Sequence, residues 1–272
     1  FRGDAELWPS GHDPAIRAPG QAVWPSAWER RSARGGWERA GPLERYPDSA
    51  SARDLVRVLG TAHGEYLRER VERGRRGRPD GATLDGRRCW GTLAGPLNEP
   101  WPAIGSSLVD YYLEPKIAFY HLRRAYAPVL LSFEQTPDEL YVWVVNDSPE
   151  PVRGEMRVRR MRFDGTVVAV VRREVDVASE ESGRRVDTAV LGPISLLHEF
   201  LLAELGDLRA IHLLAAERYL VLPRAHVQAR VAAGVLVLST DTFARQVALE
   251  MAGVVGAVFE DNYLDLVPGE VR

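Results

Sequence analysis

Glu99 follows Asn98 and precedes Pro100, Trp101 and Pro102, so a carboxylate, an amide and an indole fall within one short turn. A carboxylate can orient or protonate a ligand, an amide both gives and accepts hydrogen bonds, and an indole offers an apolar face with a polar edge. A polar, aromatic turn directly after a buried strand is where an α/β barrel or an open sheet places its ligand contacts. Other chemistries find less support. His12, His63, His121, His198, His212 and His226 are scattered without metal-ligand spacing, and none forms a zinc pattern with Cys89. His63 and His121 fall on helical segments and read as packing or surface residues. Ser10, Ser106 and Ser107 lack the Gly-x-Ser-x-Gly elbow of a hydrolase nucleophile, and Gly74, Gly77 and Gly81 sit among arginines with no strand before them, so they make no phosphate loop. The basic run from Arg68 to Arg78, interrupted by Glu69 and Glu72, reads as a solvated helix end.

Elements on either side must hold the turn in place. Gly91 to Gly95, a run of small residues, is expected to be a strand in a crowded interior, since glycine is kept where a neighbour comes close. Pro96 and Pro100 stop its ladder. Pro115 suits a first helical position, and Ile117 to Ala127 reads as a short helix closed by Pro128, with Ile117, Ala118, Leu122 and Ala125 inward. Upstream, Leu55, Val56, Leu59, Ala62, Tyr66, Leu67 and Val71 recur at the spacing of one apolar helix face. Ser51 with Asp54 forms an approximate capping box, and Gly74 with the arginines after it ends that helix. Before it, Pro9, Pro14, Pro19, Pro25, Pro42 and Pro47 exclude a ladder or a long helix from residues 1–50. That stretch reads as a long excursion whose tryptophans, at 8, 24, 28 and 37, help cover a larger body.

From Val129 the pattern becomes β. Leu140, Val142 and Val144 alternate with Tyr141, Trp143 and Val145, and Asp164-Gly165 signals a tight hairpin between Met156–Arg160 and Val167–Val171. Further strands are expected at 172–177, 184–191 and 196–205, at the spacing of a sandwich. Residues 208–222 fit a helix in their first half and a strand in their second. A second small sandwich is expected from Pro223, with strands at 227–231, 235–239 and 243–250 and a last one from Ala257.

The chain of 272 residues, 45% apolar, is in the globular class. A formal net charge of -3 gives no reason to expect nucleic acid as a partner. No run of eighteen apolar residues exists, so no segment reads as a membrane-spanning helix. One cysteine excludes an internal disulfide framework and leaves the compartment open.

Gly91, Leu93, Leu97, Asn98, Glu99, Trp101, Pro102, Ser107, Asp110, Tyr111, Tyr112, Pro115 and Lys116 resemble the last barrel strand and following segment of the β-mannosidase group of retaining glycoside hydrolases. Trp143 to Ser148 is similar to that family's strand ending in Val-Asn-Asp. Phe243-Ala244-Arg245, with Asp261 to Glu270, is similar to its terminal sandwich motif. The resemblance implies a multidomain fold: residues 1–128 as the C-terminal part of an (α/β)8 TIM barrel, 129–222 as an immunoglobulin-like β-sandwich, and 223–272 as a second, incomplete β-sandwich. It implies a carbohydrate substrate, no metal and no cofactor. It also implies that an upstream part of the same protein, or a partner chain, completes the barrel.

Site residues follow from the same resemblance. Asp4 overlays the family's nucleophilic glutamate, one methylene shorter, in a chemistry that sets two carboxyl groups about 5–5.5 Å apart. Trp101, Asn98, Glu99 and Trp8 are implied on the substrate side, with Glu99 orienting the loop and Asn98 bonding to backbone. Gly95 and Ser106 stand where the family has tryptophans, and Trp8, Trp24 or Trp28 would have to replace the lost aromatic platform. These departures leave a second reading open, a non-catalytic carbohydrate-binding or structural relative. A self-sufficient domain of other topology is a third.

Overall fold

The computed structural model describes residues 28, 31–32, 41–49, 51–77, 89, 91–251, 254 and 258–270. These fall in two compact units, one drawn from Phe1–Glu69, Leu93–Arg123 and Ala248–Asn262, the other from Arg70–Thr92, Arg124–Val247 and Tyr263–Arg272.

In the first unit the larger parts of two helices meet, α1 (Ala52–Arg75) and α2 (Ile117–Ala125). The Ser51 hydroxyl accepts the Asp54 N–H at 3.1 Å and donates to the Asp54 carboxylate at 2.8 Å, so the N-terminal turn is capped as expected. Gly60 and Gly64 carry the crossing. A Cβ on Gly60 would lie 2.7 Å from Ile117 Cδ1, and one on Gly64 would lie 2.7 Å from His121 Cδ2, so the helices approach closely enough that a larger residue at either position would force a neighbouring side chain to shift. Leu55 packs with Trp28, Leu59 and Ile104, while Val58 and Ala62 pack with Tyr46 and Leu43. Val56, expected on this face, is exposed, because Val58 takes the inward position.

The second unit is a sandwich. Strands β1 (Val129–Gln135), β2 (Leu140–Asn146) and β5 (Glu181–Asp187) form one antiparallel sheet in the order β1-β2-β5. Strands β3 (Val152–Arg162), β4 (Val167–Val177), β6 (Glu199–Leu205) and β7 (Leu208–Leu213) form the other, in the order β4-β3-β6-β7. Alternate residues meet between them: Leu131, Phe133, Val142, Val144 and Val186 from one sheet, Met156, Val158, Val175, Val177, Leu201, Ala203 and Leu205 from the other. The ambiguous stretch after 208 resolves into strand β7 followed by a single 3-10 turn at Glu217–Tyr219. A hairpin of β8 (Val227–Ala232) and β9 (Val235–Thr240) follows, then a two-stranded sheet of β10 (Ala244–Val247) and β11 (Leu264–Leu266). Residues 227–231 of β8 are all exposed, and among the described residues the strand pairs with β9 alone. Among the described residues the final strand is β11; Val258 and Phe259 are in no strand, and Ala257 lies outside the described residues.

Turns are closed by buried side chains. Asn146, fully buried, donates through Nδ2 to the carbonyls of Glu150 at 2.8 Å, Val177 at 3.2 Å and Ala178 at 3.0 Å, and its Oδ1 accepts from Ser148 N–H at 3.0 Å. One amide therefore ties the β2–β3 turn to the end of β4. Arg75, in the last turn of α1, donates to the carbonyls of Ala125 at 2.6 Å, Ala127 at 2.7 Å and Pro128 at 3.1 Å, and to Asp147 Oδ2 at 2.7 Å. It serves the orphan carbonyls at the end of α2. Arg76 donates to Ser132 Oγ and the Phe133 carbonyl, both at 3.2 Å. The expected solvated helix end is therefore corrected at these two positions. Arg75 is spent on carbonyl groups that lack helix partners, and Arg76 on a hydroxyl and a carbonyl of β1.

Gly165, in the β3–β4 hairpin, has φ +93°, and a Cβ there would meet Pro268 Cβ at 2.7 Å. Both facts demand glycine.

Gly91 to Gly95 differs from expectation. Residues 91–97 join no ladder, Leu93 is fully exposed, and nothing lies within 4 Å of a Cβ built on Gly91 or Gly95. Small residues here mark open backbone, because no neighbouring strand among the described residues lies alongside.

Asn146→Ala leaves three carbonyls without their donor and is expected to lower stability by about 2–3 kcal/mol, read from urea denaturation. Gly165→Val, which adds strain and collision together, is expected to cost at least as much.

Candidate functional site

The stretch from Leu97 to Lys116 folds back on itself through its backbone. The Leu97 carbonyl accepts the N–H groups of Leu108 at 3.1 Å and Val109 at 2.8 Å, Glu99 N–H donates to the Val109 carbonyl at 3.3 Å, and Lys116 N–H to the Leu108 carbonyl at 2.9 Å. Asp110 Oδ1 accepts from the N–H groups of Tyr112 at 2.8 Å and Glu114 at 2.9 Å, which closes the turn between these crossings.

Inside this knot lies Glu99, 6% exposed. Its Oε1 accepts Lys116 Nζ at 3.0 Å and the Ser107 N–H at 3.3 Å, while Lys116 Nζ also donates to the Gly105 carbonyl at 3.2 Å. A Cβ on Gly105 would stand 2.3 Å from Glu99 Oε1, so the carboxylate rests directly on the Gly105 backbone. Ser107, fully buried, turns its hydroxyl to the Val109 carbonyl at 2.7 Å. Burial pushes the Glu99 carboxyl upward, but hydrogen bonds from Ser107 and the Lys116 ammonium outweigh it and hold the group below the usual carboxylate range. Glu99 is accordingly an ionised, oriented group. A general acid at neutral pH needs the opposite shift.

His63, on α1, belongs to the same neighbourhood. Burial first, and the Lys116 charge second, lower its pKa from 6.5 to about 4. His121 on α2 is also fully buried.

Around this cluster the expected site residues divide. Trp101 is 41% exposed. Asn98 is exposed, and its Nδ2 makes only a long contact, 3.5 Å, to the Glu99 carbonyl. Trp28 is wholly buried with Leu55, Leu59 and Ile104 and cannot serve as a sugar platform, which corrects that expectation; its indole is core. Asp4, Trp8 and Trp24 lie outside the described residues. The structure thus brings Glu99, Ser107 and Lys116 together and leaves Asn98 and Trp101 at the surface beside them. The roles of Lys116 and Gly105 were missed, although a signal was present: of the 35 Lys and Arg residues in the chain, Lys116 is the one lysine. No group of three or more His, Cys, Asp or Glu able to hold a metal occurs among the described residues.

Comparison with known proteins places this architecture. Residues 138–190 match the Mannosidase Ig/CBM-like domain family, and residues 220–272 match the Ig-fold domain family Ig_mannosidase. β-Mannosidase B of Aspergillus niger is 32% identical over 109 residues, which cover 34% of this chain and 13% of that protein. The Aspergillus flavus β-mannosidase B is 37% identical over 67 residues, 25% of this chain and 8% of the relative. The matched region is thus a small part of these relatives' length. Among solved structures, the β-D-mannosidase of Dictyoglomus thermophilum aligns with TM-score 0.78 over 92% of this chain and 31% of its own, at 20% identity. Exo-chitosanase CsxA of Amycolatopsis orientalis aligns with TM-score 0.62 over 83% of this chain and 32% of its own, at 18% identity. At such identities the likeness is one of fold. The matches mark residues 138–190 and 220–272 as similar to Ig-like β-domains of the mannosidase type. More particularly, the chain is β-mannosidase-like and similar to the C-terminal portion of those glycoside hydrolases.

The His63 shift sets a sign for acid stability. Unfolded, the imidazole titrates near 6.5; folded, near 4. Between these values the unfolded chain binds the extra proton, so stability complete above pH 6.5 is lost as pH falls toward 4, on the order of 3 kcal/mol in all. His63→Gln is expected to flatten that part of the curve, measured as urea midpoints from pH 4 to 8.

Proposed function

We propose that this chain is the C-terminal portion of a β-mannosidase-type glycoside hydrolase whose complete form cleaves terminal β-D-mannosides with retention, using two carboxyl groups. In this reading residues 1–128 supply the last units of an (α/β)8 barrel, 129–222 an immunoglobulin-like sandwich, and 223–272 a second sandwich. The observation that carries it is the stretch 91–97, which joins no ladder among the described residues, has Leu93 and Leu97 exposed, and runs into the locked Glu99 turn. A barrel strand without its two neighbours has this form, since closure normally pairs both of its edges. An upstream part of the same protein or a partner chain would provide those neighbours. The 92% coverage against the Dictyoglomus enzyme extends past the sandwich strands and supports the same reading.

Within it Asp4 holds the nucleophile position, and Trp8, Asn98, Glu99 and Trp101 lie on the sugar side. Glu99 orients the turn and gives up no proton, consistent with its lowered pKa. A second reading, a non-catalytic carbohydrate-binding relative, is favoured by Gly95 and Ser106, which replace tryptophans; Gly95 borders open space where the aromatic would stand.

Steady-state kinetics of the full-length protein on aryl β-mannoside, β-glucoside and β-galactoside separate the two. Turnover is expected to be greatest on the mannoside and to fall about a thousandfold or more in Asp4→Asn. Polysaccharide binding without turnover of any of the three would favour the second reading, and full activity in Asp4→Asn would remove Asp4 from its role.

A further inference from the structure

The chain meets its need for positive charge with arginine everywhere except at Lys116. That exception coincides with a narrow space. The Glu99 carboxylate lies against the Gly105 backbone so closely that a methyl group there would stand 2.3 Å from Oε1, and the Lys116 ammonium bridges this oxygen and the Gly105 carbonyl at 3.0 and 3.2 Å. A single nitrogen with tetrahedrally placed donors can serve both acceptors at once. A planar guanidinium seeks two parallel bonds to one carboxylate and needs more room.

The bridge spans the loop that holds Trp101. Glu99 stands just before the indole and Gly105 just after it, so the ammonium fastens the two ends of residues 99–105 together. Ser107 adds its N–H to the same carboxylate oxygen at 3.3 Å. Beyond this, the Pro102 carbonyl accepts Arg31 Nη1 at 3.5 Å, and Ile104 N–H donates to the Arg31 carbonyl at 2.9 Å, so the loop's far side is anchored as well. Trp101, 41% exposed, is thereby presented on a loop clamped at its base.

We propose that Lys116 is a positioning residue for sugar recognition: its ammonium, locked between the Glu99 carboxylate and the Gly105 carbonyl, fixes the loop that presents Trp101 to a pyranose, and arginine cannot take its place. This rests on the proposed glycosidase reading and deepens it. An aromatic platform touches the apolar face of the sugar alike in the ground and transition states, so loosening it weakens binding without slowing the chemical step. The effect belongs to KM.

The test uses the full-length protein carrying 5-fluorotryptophan, with the Trp101 resonance assigned by its loss in Trp101→Phe. Lys116→Met and Lys116→Arg are each expected to raise KM for an aryl β-mannoside about tenfold while kcat stays within about twofold, and to broaden or split the Trp101 fluorine resonance. Glu99→Gln, which keeps the acceptor for Ser107 and loses the ion pair, is a milder variant expected to shift both readouts the same way. A Lys116→Arg protein with parental KM and an unchanged resonance would overturn the proposal, as would a loss confined to kcat. If the parent turns over no glycoside, the enzymatic reading fails, and the proposal for sugar recognition falls with it. If the parent is active and the Trp101 resonance is indifferent to all three variants, the positioning role alone is disproved.

Discussion

A charged or strongly polar group withdrawn from water must find fixed partners, at a cost of several kcal/mol where it does not. The molecule is arranged around places where this demand arises. Glu99 is almost wholly buried, and Lys116 and Ser107 supply its donors. Asn146 has no exposure and spends its amide on three carbonyls. Arg75 collects the carbonyls that α2 leaves unbonded at its end. In each case one side chain takes the place of a stretch of regular backbone pairing, at a point where the chain leaves a helix or strand and could otherwise take several paths.

The terminal sandwich motif follows the same logic with charges. Arg159 pairs with Glu204 at 3.0 Å and Glu270 at 3.1 Å, Arg209 pairs with Glu270 at 2.8 Å, and Arg245 pairs with Glu217 at 2.6 Å and Asp265 at 3.2 Å. These groups are mostly shielded from solvent, so salt screens them weakly, and removing one member costs more than the pair contributes, because its partner stays buried. Beside them the rings of Phe163, Phe200 and Phe243 gather with centroids 4.6 to 5.6 Å apart, and Met161, Leu202 and Val267 fill the space around them. Apolar area supplies the attraction, and the ion pairs determine which residues come into register.

Alternation made most of the sandwich readable in advance. Val142 and Val144 face the core as their spacing demanded, and the Asp164-Gly165 signal marks a true hairpin. The ends of helices and isolated strands were less legible, because their state depends on what lies beside them. Gly91 to Gly95 has the composition of a crowded strand and yet stands open, since small residues are equally suited to tight packing and to no packing at all. Trp28 looked available as a platform and is core, a distinction that rests on contacts with Leu55 and Ile104 far along the chain. The arginines after Arg68 were read by their charge, whereas carbonyls more than fifty residues away decide where Arg75 goes. In the candidate site, Asn98, Glu99 and Trp101 are named from their pattern alone. Lys116 acquires its importance only when the Gly105 backbone is seen against the carboxylate.

The hairpin of β8 and β9 has a consequence for contact with other chains. Strand β8 offers Val227, Ala229 and Val231 to solvent beside a row of backbone groups that join no second ladder among the described residues. Such an edge is a template on which a second copy could add a strand. Arg230 interrupts it, and a like charge brought opposite by an antiparallel neighbour makes that addition unfavourable.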